Sequence, residues 1–262
     1  MQNKMLCNIP VRKALYLGLV VLSLMAHQSL VGQTTSTNLT AQQIIQRMQA
    51  NEVHDSAYAE GRMIITDRFG TRTSTFRSWS RGQHDSLIEF TSPEEMGQKV
   101  LRTRDAIYLF YPDAAEILRI QGAALRDSLL GSDISFEDMT GGRDLLNEYQ
   151  VRLLGTETVN GVSTYKVELT ARNSRVAYPK QILWIDTDLF VTRRAHRFSL
   201  SDRLLKEMDV LEVQTQQGRT FPTRIRMRDA LRSNTQTIME FQRLDLGVRL
   251  PANIFSLEEL SW

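Results

Sequence analysis

Cysteine is almost absent from this 262-residue sequence, and the one cysteine, Cys7, lies near the amino terminus. A chain without disulfides has to be stabilised by a hydrophobic core, and one of this length can bury a sizeable core. Histidine is also scarce. The histidines beyond residue 33 are His54, His84 and His196, and none lies four residues from another or near a carboxylate in a known metal-binding spacing. The sequence therefore predicts neither a disulfide scaffold nor a metal site.

Catalytic motifs are missing as well. The sequence has no G-x-S-x-G elbow, no Walker loop and no G-x-G-x-x-G between a strand and a helix. Asp186 and Asp188 stand two residues apart, and Glu94 and Glu95 follow a proline. Paired carboxylates can carry acid–base catalysis, but at turns they are usually caps or solvated charges. We therefore predict no catalytic residues, no enzymatic activity and no cofactor.

The amino terminus has the pattern of a signal peptide. Lys4, Arg12 and Lys13 occur without any acid, and an apolar run follows over residues 14–26. This run is shorter than the ~20 residues that cross a bilayer as a helix, although a retained membrane anchor is the alternative. Cys7 precedes the run, so the mature chain is not itself predicted to be a lipoprotein. We expect residues 1–33 to be a signal peptide and residues 34–262 to be a single periplasmic domain, soluble after cleavage.

Charge argues against nucleic acid as a partner. The full chain has 32 Lys and Arg against 30 Asp and Glu, a net charge of +2. Removal of the three positive charges in residues 1–33 leaves −1. A mature chain without a positive excess lacks the charge that neutralises phosphates.

The pattern beyond the signal peptide is dominated by alternation. Residues 57–247 favour a succession of about 11 strands, in which Asn160-Gly161 is a strong hairpin signal. Only residues 40–52 and 122–148 favour helix. Thr40 and Gln43 form a capping box before the first, whereas Gly131 and the Gly141-Gly142 pair interrupt the second, which we interpret as a lid of broken helical turns.

A long curved sheet with one apolar face and little helix to cover it tends to enclose a cavity. Alternation and side-chain size select candidate residues for the cavity lining and for the lid; packed core is the alternative for each of them. The predicted lining is Met63, Ile65, Trp79, Ile88, Phe90, Leu109, Tyr111, Trp184, Met227, Met239 and Phe241. The predicted lid residues are Leu125, Leu129, Leu130, Phe136 and Met139.

Two polar patterns leave alternatives open. Arg224, Arg226 and Arg228 share one face of a strand, which indicates either an anion site or, more simply, a solvated face. The acids in residues 131–139 could bind calcium, but their spacing matches no EF-hand loop. Ser132 or Asp133 as a helix N-cap is the simpler interpretation.

Several short segments together resemble one known family. They are Tyr108-Leu109-Phe110-Tyr111-Pro112, Ile117-Leu118-Arg119-Ile120, Gly131-Ser132-Asp133, Phe136-Glu137-Asp138 and the ending Leu250-Pro251-Ala252-Asn253-Ile254-Phe255, with Leu257 and Leu260 beyond it. In this order and spacing they are similar to the outer-membrane lipoprotein-sorting protein family, which is related to LolA and LolB. The similarity covers nearly all of the mature chain.

The resemblance implies a mainly β (α+β) fold, an incomplete antiparallel β-barrel capped by a small helical lid. It also implies a monomeric carrier whose apolar interior receives the acyl chains of a lipid or lipoprotein on the way to the outer membrane. An inner-membrane exporter and an outer-membrane acceptor would be its partners. A non-enzymatic envelope sensor or protein-interaction module on the same fold is the alternative, and a hydrolase is a third.

Overall fold

In the computed structural model, the described residues are 39–104, 106–140, 144–174 and 176–261. The predicted signal peptide and the Gly141-Gly142 pair lie outside them, so both remain predictions. The described residues from Leu39 onward belong to one compact unit.

One antiparallel sheet of thirteen strands makes up most of the described residues, in the order β6-β5-β4-β3-β2-β1-β13-β12-β11-β10-β9-β8-β7. The predicted fold, an incomplete barrel with few helices, is confirmed, with thirteen strands rather than about 11. The strands are β1 (His54–Asp67), β2 (Gly70–Gly82), β3 (Asp85–Phe90), β4 (Lys99–Arg102), β5 (Ile107–Tyr111), β6 (Glu116–Ile120), β7 (Tyr149–Val159), β8 (Val162–Ala171), β9 (Lys180–Asp186), β10 (Thr192–Phe198), β11 (Leu204–Gln216), β12 (Arg219–Asp229) and β13 (Gln236–Leu246).

Helices are short and few among the described residues. The α-helices are α1 (Ala41–Glu52), α2 (Phe136–Thr140), α3 (Leu145–Glu148) and α4 (Leu257–Leu260), and 3-10 turns occupy Gly122–Arg126 and Leu129–Gly131. The Thr40–Gln43 capping box forms at the start of α1. We call residues 122–140 and 144–148 the lid segment; it connects the two edge strands, β6 and β7. None of the described helices has the length and hydropathy needed to span a membrane.

Alternation along each strand gives the sheet two different faces. In β1 the side chains of Met63 and Ile65 are buried, whereas the alternating Arg62 and Ile64 are only partly buried. Cross-strand register continues the buried row, because Met63 lies opposite Met239 and Met239 lies opposite Ile225. We call this the inner face, and the other the outer face.

Two different segments cover the inner face. The lid segment packs against strands β1–β5 and β11–β13, where Leu129 and Phe136 share a hydrophobic cluster with Met63 and Phe90. Helix α1 covers strands β7–β10 by placing Ile44, Ile45 and Met48 against residues such as Leu183. The lid segment and α1 therefore each cover part of the inner face, and an open space remains between them.

The outer face carries a small apolar cluster and many ion pairs. Leu87, Leu101 and Phe110 point outward and are covered by Phe255 and Leu260 from the carboxy-terminal segment.

The predicted arginine stripe lies on the same outer face and is matched by acids on neighbouring strands. Arg224 pairs with Glu212 and Glu240, Arg226 with Asp209, and Arg228 with Glu207. The stripe is thus part of a charge-paired wall rather than a patch of uncompensated positive charge.

Candidate functional site

A cavity of 350 Å³ lies inside the incomplete barrel, between the sheet, α1 and the lid segment. Its volume falls within the range of about 300–1,000 Å³ that is usual for sites binding small molecules. Most of its surface is apolar. The lining residues used below are Glu52, His54, Ala57, Ala59, Phe76, Ser78, Trp79, Ser80, Ser86, Ile88, Asp138, Met139, Tyr178, Ala195, Arg197, Ile225, Met239 and Phe241.

The hollow exists because small side chains occupy the inner face at one end of the sheet. Ala59 lies opposite Ser78, and Ala57 lies opposite Ser80, across the β1–β2 pair. Ser80 in turn lies opposite Ser86 of β3. These side chains are too short to reach the middle of the barrel, so the space above them is left open.

Gly61 sets the boundary of this space toward the packed core. A Cβ atom at Gly61 would lie 2.6 Å from the backbone oxygen of Glu240 and 2.7 Å from the tip of the Phe76 ring. The Phe76 ring therefore lies directly over the glycine, and it contacts Phe241 edge-on at 5.9 Å. Only glycine leaves room for this arrangement.

At one end of the cavity, hydroxyl groups and an imidazole replace the apolar lining. His54 Nε2 and Ser80 Oγ share a hydrogen bond of 2.8 Å. Ser78 and Ser86 line the same region, which lies where β1 begins, β2 ends and β3 begins. We call His54, Ser78, Ser80 and Ser86 the serine end.

An ion pair between the lid segment and the barrel wall borders another part of the cavity. Arg197 Nη1 of β10 lies 2.7 Å from Asp138 Oδ1 of α2, and only 15% and 3% of the two side chains are exposed. The other carboxylate oxygen accepts hydrogen bonds from the Tyr178 hydroxyl at 3.1 Å and the Ser135 backbone N–H at 3.0 Å. This network fixes α2 against the wall.

Burial and charge shape the acidities in this network. Burial opposes ionisation of Tyr178, and the neighbouring Asp138 carboxylate raises the pKa of the phenol further. Burial alone would lower the pKa of the Arg197 guanidinium, but Asp138 together with neighbouring groups such as Glu137 outweighs burial and raises that pKa. The phenol is therefore neutral and the guanidinium charged under ordinary conditions.

The tip of the lid segment closes the opposite end of the barrel. The Asp133 carboxylate accepts hydrogen bonds from the Thr235 and Thr237 hydroxyls at 2.5 and 3.0 Å, and Lys206 Nζ donates to its backbone carbonyl at 2.7 Å. Sequence reasoning proposed Asp133 or Ser132 as an N-cap. In the structure the N-cap of α2 is Ser135, whose hydroxyl accepts from the Asp138 backbone N–H.

The structure places four of the eleven predicted lining residues at the cavity and five in packed core, which was the alternative for each of them. Ile88, Met239 and Phe241 border the cavity. Met63, Ile65, Phe90, Leu109 and Met227 lie in the core cluster that packs against the lid segment. Trp79 also borders the cavity, although its ring contacts Tyr58 at 5.6 Å, on the outer-face side of the β1–β2 pair.

Tyr111 and Trp184 lie away from the cavity, and their predicted placement is corrected. Tyr111 is the last residue of β5, near the sheet edge, and is 37% exposed. Trp184 points to the outer face, where Lys166 and His196 cover its ring. Both faces of β9 are apolar, so alternation alone could not show that Leu183 and Ile185 are the inner pair.

The predicted lid residues all pack onto the inner face. Leu129 and Phe136 are buried in the core cluster, and Leu125, Leu130 and Met139 pack against it. Met139 also borders the cavity. Whether any of these residues contacts a ligand stays a prediction.

Sequence reasoning missed the polar part of the site. Arg197 is separated from Asp138 by more than fifty residues, so no local motif in the sequence connects the two. The serines on β2 and β3 looked like ordinary polar strand positions. The sequence did contain a signal for the cavity, because small residues recur at the alternate positions of β1 and β2 that lie on the inner face. Among the described residues no group of three His, Cys, Asp or Glu side chains could hold a metal ion.

Comparison with known proteins supports the fold. No curated protein matches the sequence. A DUF1329 family protein from Desulfovibrio piger is similar with a TM-score of 0.77 and 25% identity, covering 83% of this chain and 96% of that one. A LolA superfamily protein from Nitrosomonas europaea has a TM-score of 0.71 and 26% identity, covering 84% and 99%.

A putative outer membrane lipoprotein-sorting protein domain from Vibrio parahaemolyticus has a TM-score of 0.77 at 20% identity, covering 84% of this chain and 97% of that one. Its similarity shows the fold alone. A family model with the description "-like: Uncharacterized protein" matches residues 82–262. The chain therefore belongs to the family that this model describes, and its structural neighbours are DUF1329 and LolA-superfamily proteins.

Proposed function

We propose that this protein is a non-enzymatic periplasmic carrier that shelters the acyl chains of a lipid or lipoprotein for transfer toward the outer membrane. The observation that carries the proposal is the 350 Å³ cavity, which is apolar over most of its surface and lies inside an incomplete barrel. The LolA-like fold supports it, because two neighbours are described as a lipoprotein-sorting domain and a LolA superfamily protein.

The interior suits an acyl chain on energetic grounds. Burial of one methylene contributes about 0.8 kcal/mol, so a sixteen-carbon chain offers on the order of 12 kcal/mol before the costs of binding. Phe76, Ile88, Ile225, Met239 and Phe241 provide apolar surface for it. Methionine is unbranched and adaptable, which suits chains of variable length and saturation.

The covering of the cavity suits a ligand that enters and leaves. The lid segment contributes only short helical turns, and one of them is tied to the wall by the Asp138–Arg197 pair. A segment with so little regular structure of its own can move while the sheet stays intact. We propose that the donor is an inner-membrane exporter, that the acceptor lies in the outer membrane, and that the carrier is a monomer.

Lipid carried through purification tests the proposal directly. Native mass spectrometry of the purified protein is expected to show added masses that organic extraction identifies as acylated lipid. Ala59→Leu and Ser78→Leu, made separately, place extra carbon atoms in the cavity and are expected to reduce lipid occupancy severalfold, because the space is taken. Thr73→Leu is the control, since Thr73 is exposed on the same strand as Ser78. Repeated recovery of lipid-free protein, or equal occupancy in all variants, would contradict the carrier function.

A further inference from the structure

We propose that the serine end of the cavity is a subsite for the ester group of an acylated lipid, which orients the acyl chain toward the apolar middle. This inference rests on the proposed carrier function and specifies the chemistry of its ligand. Three observations carry it: a buried hydroxyl without a protein partner, the serine hydroxyls and imidazole beside it, and the order of polar and apolar surface along the cavity.

Ser86 is the central residue of the subsite. It is 4% exposed, and its Oγ makes no hydrogen bond to any atom in the part of the chain that the structure describes. Its cross-strand neighbour on β4, Arg102, turns instead to Glu137 and Thr140, at 3.3 and 3.2 Å. A buried hydroxyl left without a partner is destabilising, and nearly all such groups in folded proteins are satisfied. Since Ser86 lines the cavity, a ligand oxygen is a suitable partner.

The groups around Ser86 favour an uncharged acceptor. Ser80, directly across the β2–β3 pair, is hydrogen-bonded to His54, and Ser78 borders the same space. Arg102, across the β3–β4 pair from Ser86, is already paired with Glu137, so its charge is compensated without a free carboxylate. An ester carbonyl accepts hydrogen bonds without bringing a charge.

The order of surfaces along the cavity fixes the direction of the chain. From the serine end, β2 leads inward from Ser80 to Phe76, four residues or roughly 13 Å away. Phe76 contacts Phe241, and Met239 and Ile225 continue the apolar wall. Where Asp138 and Arg197 border the cavity, their charges compensate each other at 2.7 Å, although Arg197 Nε has no hydrogen-bond partner among the described residues. We place the uncharged polar group of the ligand at the serine end, beside the unpartnered Ser86 hydroxyl, with its tail along the apolar wall.

Three probes of similar chain length test the subsite. Methyl dodecanoate, tridecane and sodium dodecanoate are added to the purified protein, and each displaces the fluorescent apolar dye N-phenyl-1-naphthylamine. The ester is expected to bind more tightly than the alkane and the carboxylate. Ser86→Ala is expected to weaken ester binding about three- to tenfold and to leave tridecane unchanged, since it removes one hydrogen bond and no apolar surface.

Ser163→Ala is the matched control, because Ser163 is exposed on β8, and it should leave all affinities unchanged. Thermal unfolding of Ser86→Ala without probe should occur at the same temperature as wild type or higher, since the hydroxyl has no protein partner to lose. If Ser86→Ala weakens ester and alkane equally, or neither, the subsite is wrong while the carrier function stands. If no probe displaces the dye, the carrier function itself fails, and the subsite with it.

Two natural sources present the same ester. A phosphatidylglycerol with twelve-carbon chains and a synthetic diacylglyceryl-cysteine peptide serve as probes for membrane lipid and lipoprotein. Sensitivity of one of them to Ser86→Ala identifies that class as the ligand. Insensitivity of both would contradict the subsite.

Discussion

At the scale of single residues, Asp209 shows how the outer face is stabilised by shared charges. It lies on β11 and pairs with Arg194 of β10 at 2.8 Å and Arg226 of β12 at 2.8 Å. Burial of the carboxylate would raise its pKa, but the hydrogen bonds from Arg226 and Arg194 outweigh burial and lower the pKa. One carboxylate thus connects three strands.

This arrangement makes part of the stability depend on pH. Because the pKa of Asp209 is lower in the folded state than its ordinary value near 4, its contribution is complete above that value and disappears as the pH falls through the folded pKa. Asp209→Asn is expected to reduce the free energy of unfolding at neutral pH and to flatten its decline below about pH 4. Urea unfolding across this pH range measures it. Asp55→Asn, at an exposed position on β1, should leave the curve unchanged; equal curves for Asp209→Asn and wild type would show that the bridge contributes nothing.

At the scale of elements, α4 covers the outer apolar cluster through one side of a single turn. The side chain of Leu260 is fully buried in this cluster, whereas Leu257, three residues earlier in α4, is 44% exposed. Ser256 caps the turn by accepting from the Glu259 backbone N–H. So short a helix is stable only because of what it packs against.

The two leucines of α4 provide a matched pair. Leu260→Ala is expected to lower the free energy of unfolding by about 2–5 kcal/mol, because it leaves a cavity between α4 and strands β3–β5. Leu257→Ala should change it by less than about 0.5 kcal/mol. Urea denaturation compares them. Equal effects of the two changes would mean that α4 is not docked on the sheet in solution.

Elements governed by local chemistry could be predicted from the sequence. The Thr40–Gln43 capping box marked the start of α1, and Asn160-Gly161 marked the β7–β8 turn, where both residues have positive φ, 49° and 81°. Helix α4 was not predicted as a helix, because four residues carry too little periodicity. The orientation of Trp184 also could not be predicted from the sequence, because it depends on α1 covering the other face of β9.

At the scale of the whole molecule, the Asp138–Arg197 pair connects the lid segment to the barrel wall. Asp138→Asn leaves the Arg197 charge buried without its partner and is expected to lower the free energy of unfolding by about 3–5 kcal/mol. Hydrogen exchange in α2 should accelerate, because α2 loses its tie to β10. Replacing both residues with apolar ones, Asp138→Leu with Arg197→Met, should restore much of the stability.

A control for this pair exists in the same segment. Asp127→Asn alters an exposed carboxylate before α2 and should change neither stability nor exchange. Unchanged exchange in α2 after Asp138→Asn would show that the packing of Phe136, rather than the ion pair, holds the lid segment in place.

The candidate site was predictable only in its apolar half. Size and alternation select residues such as Met239 and Phe241, because burying apolar surface is a property of each side chain. Polar contacts depend on which strands become neighbours. Ser80 and Ser86 are neighbours because of the β2–β3 register. Asp138 contacts Arg197 because α2 packs against β10, which lies far away in the sequence.

The shape of the cavity beside Phe76 depends on the absence of a side chain at Gly61. A methyl group in place of the Gly61 hydrogen would have to displace either the β13 backbone at Glu240 or the aromatic ring of Phe76. Of the two, the ring yields more easily, and its movement would reshape the chamber beside it. If the proposed carrier function holds, substitution at this position would therefore alter which chain lengths fit the cavity, while the charged outer wall and the sheet order remained as they are.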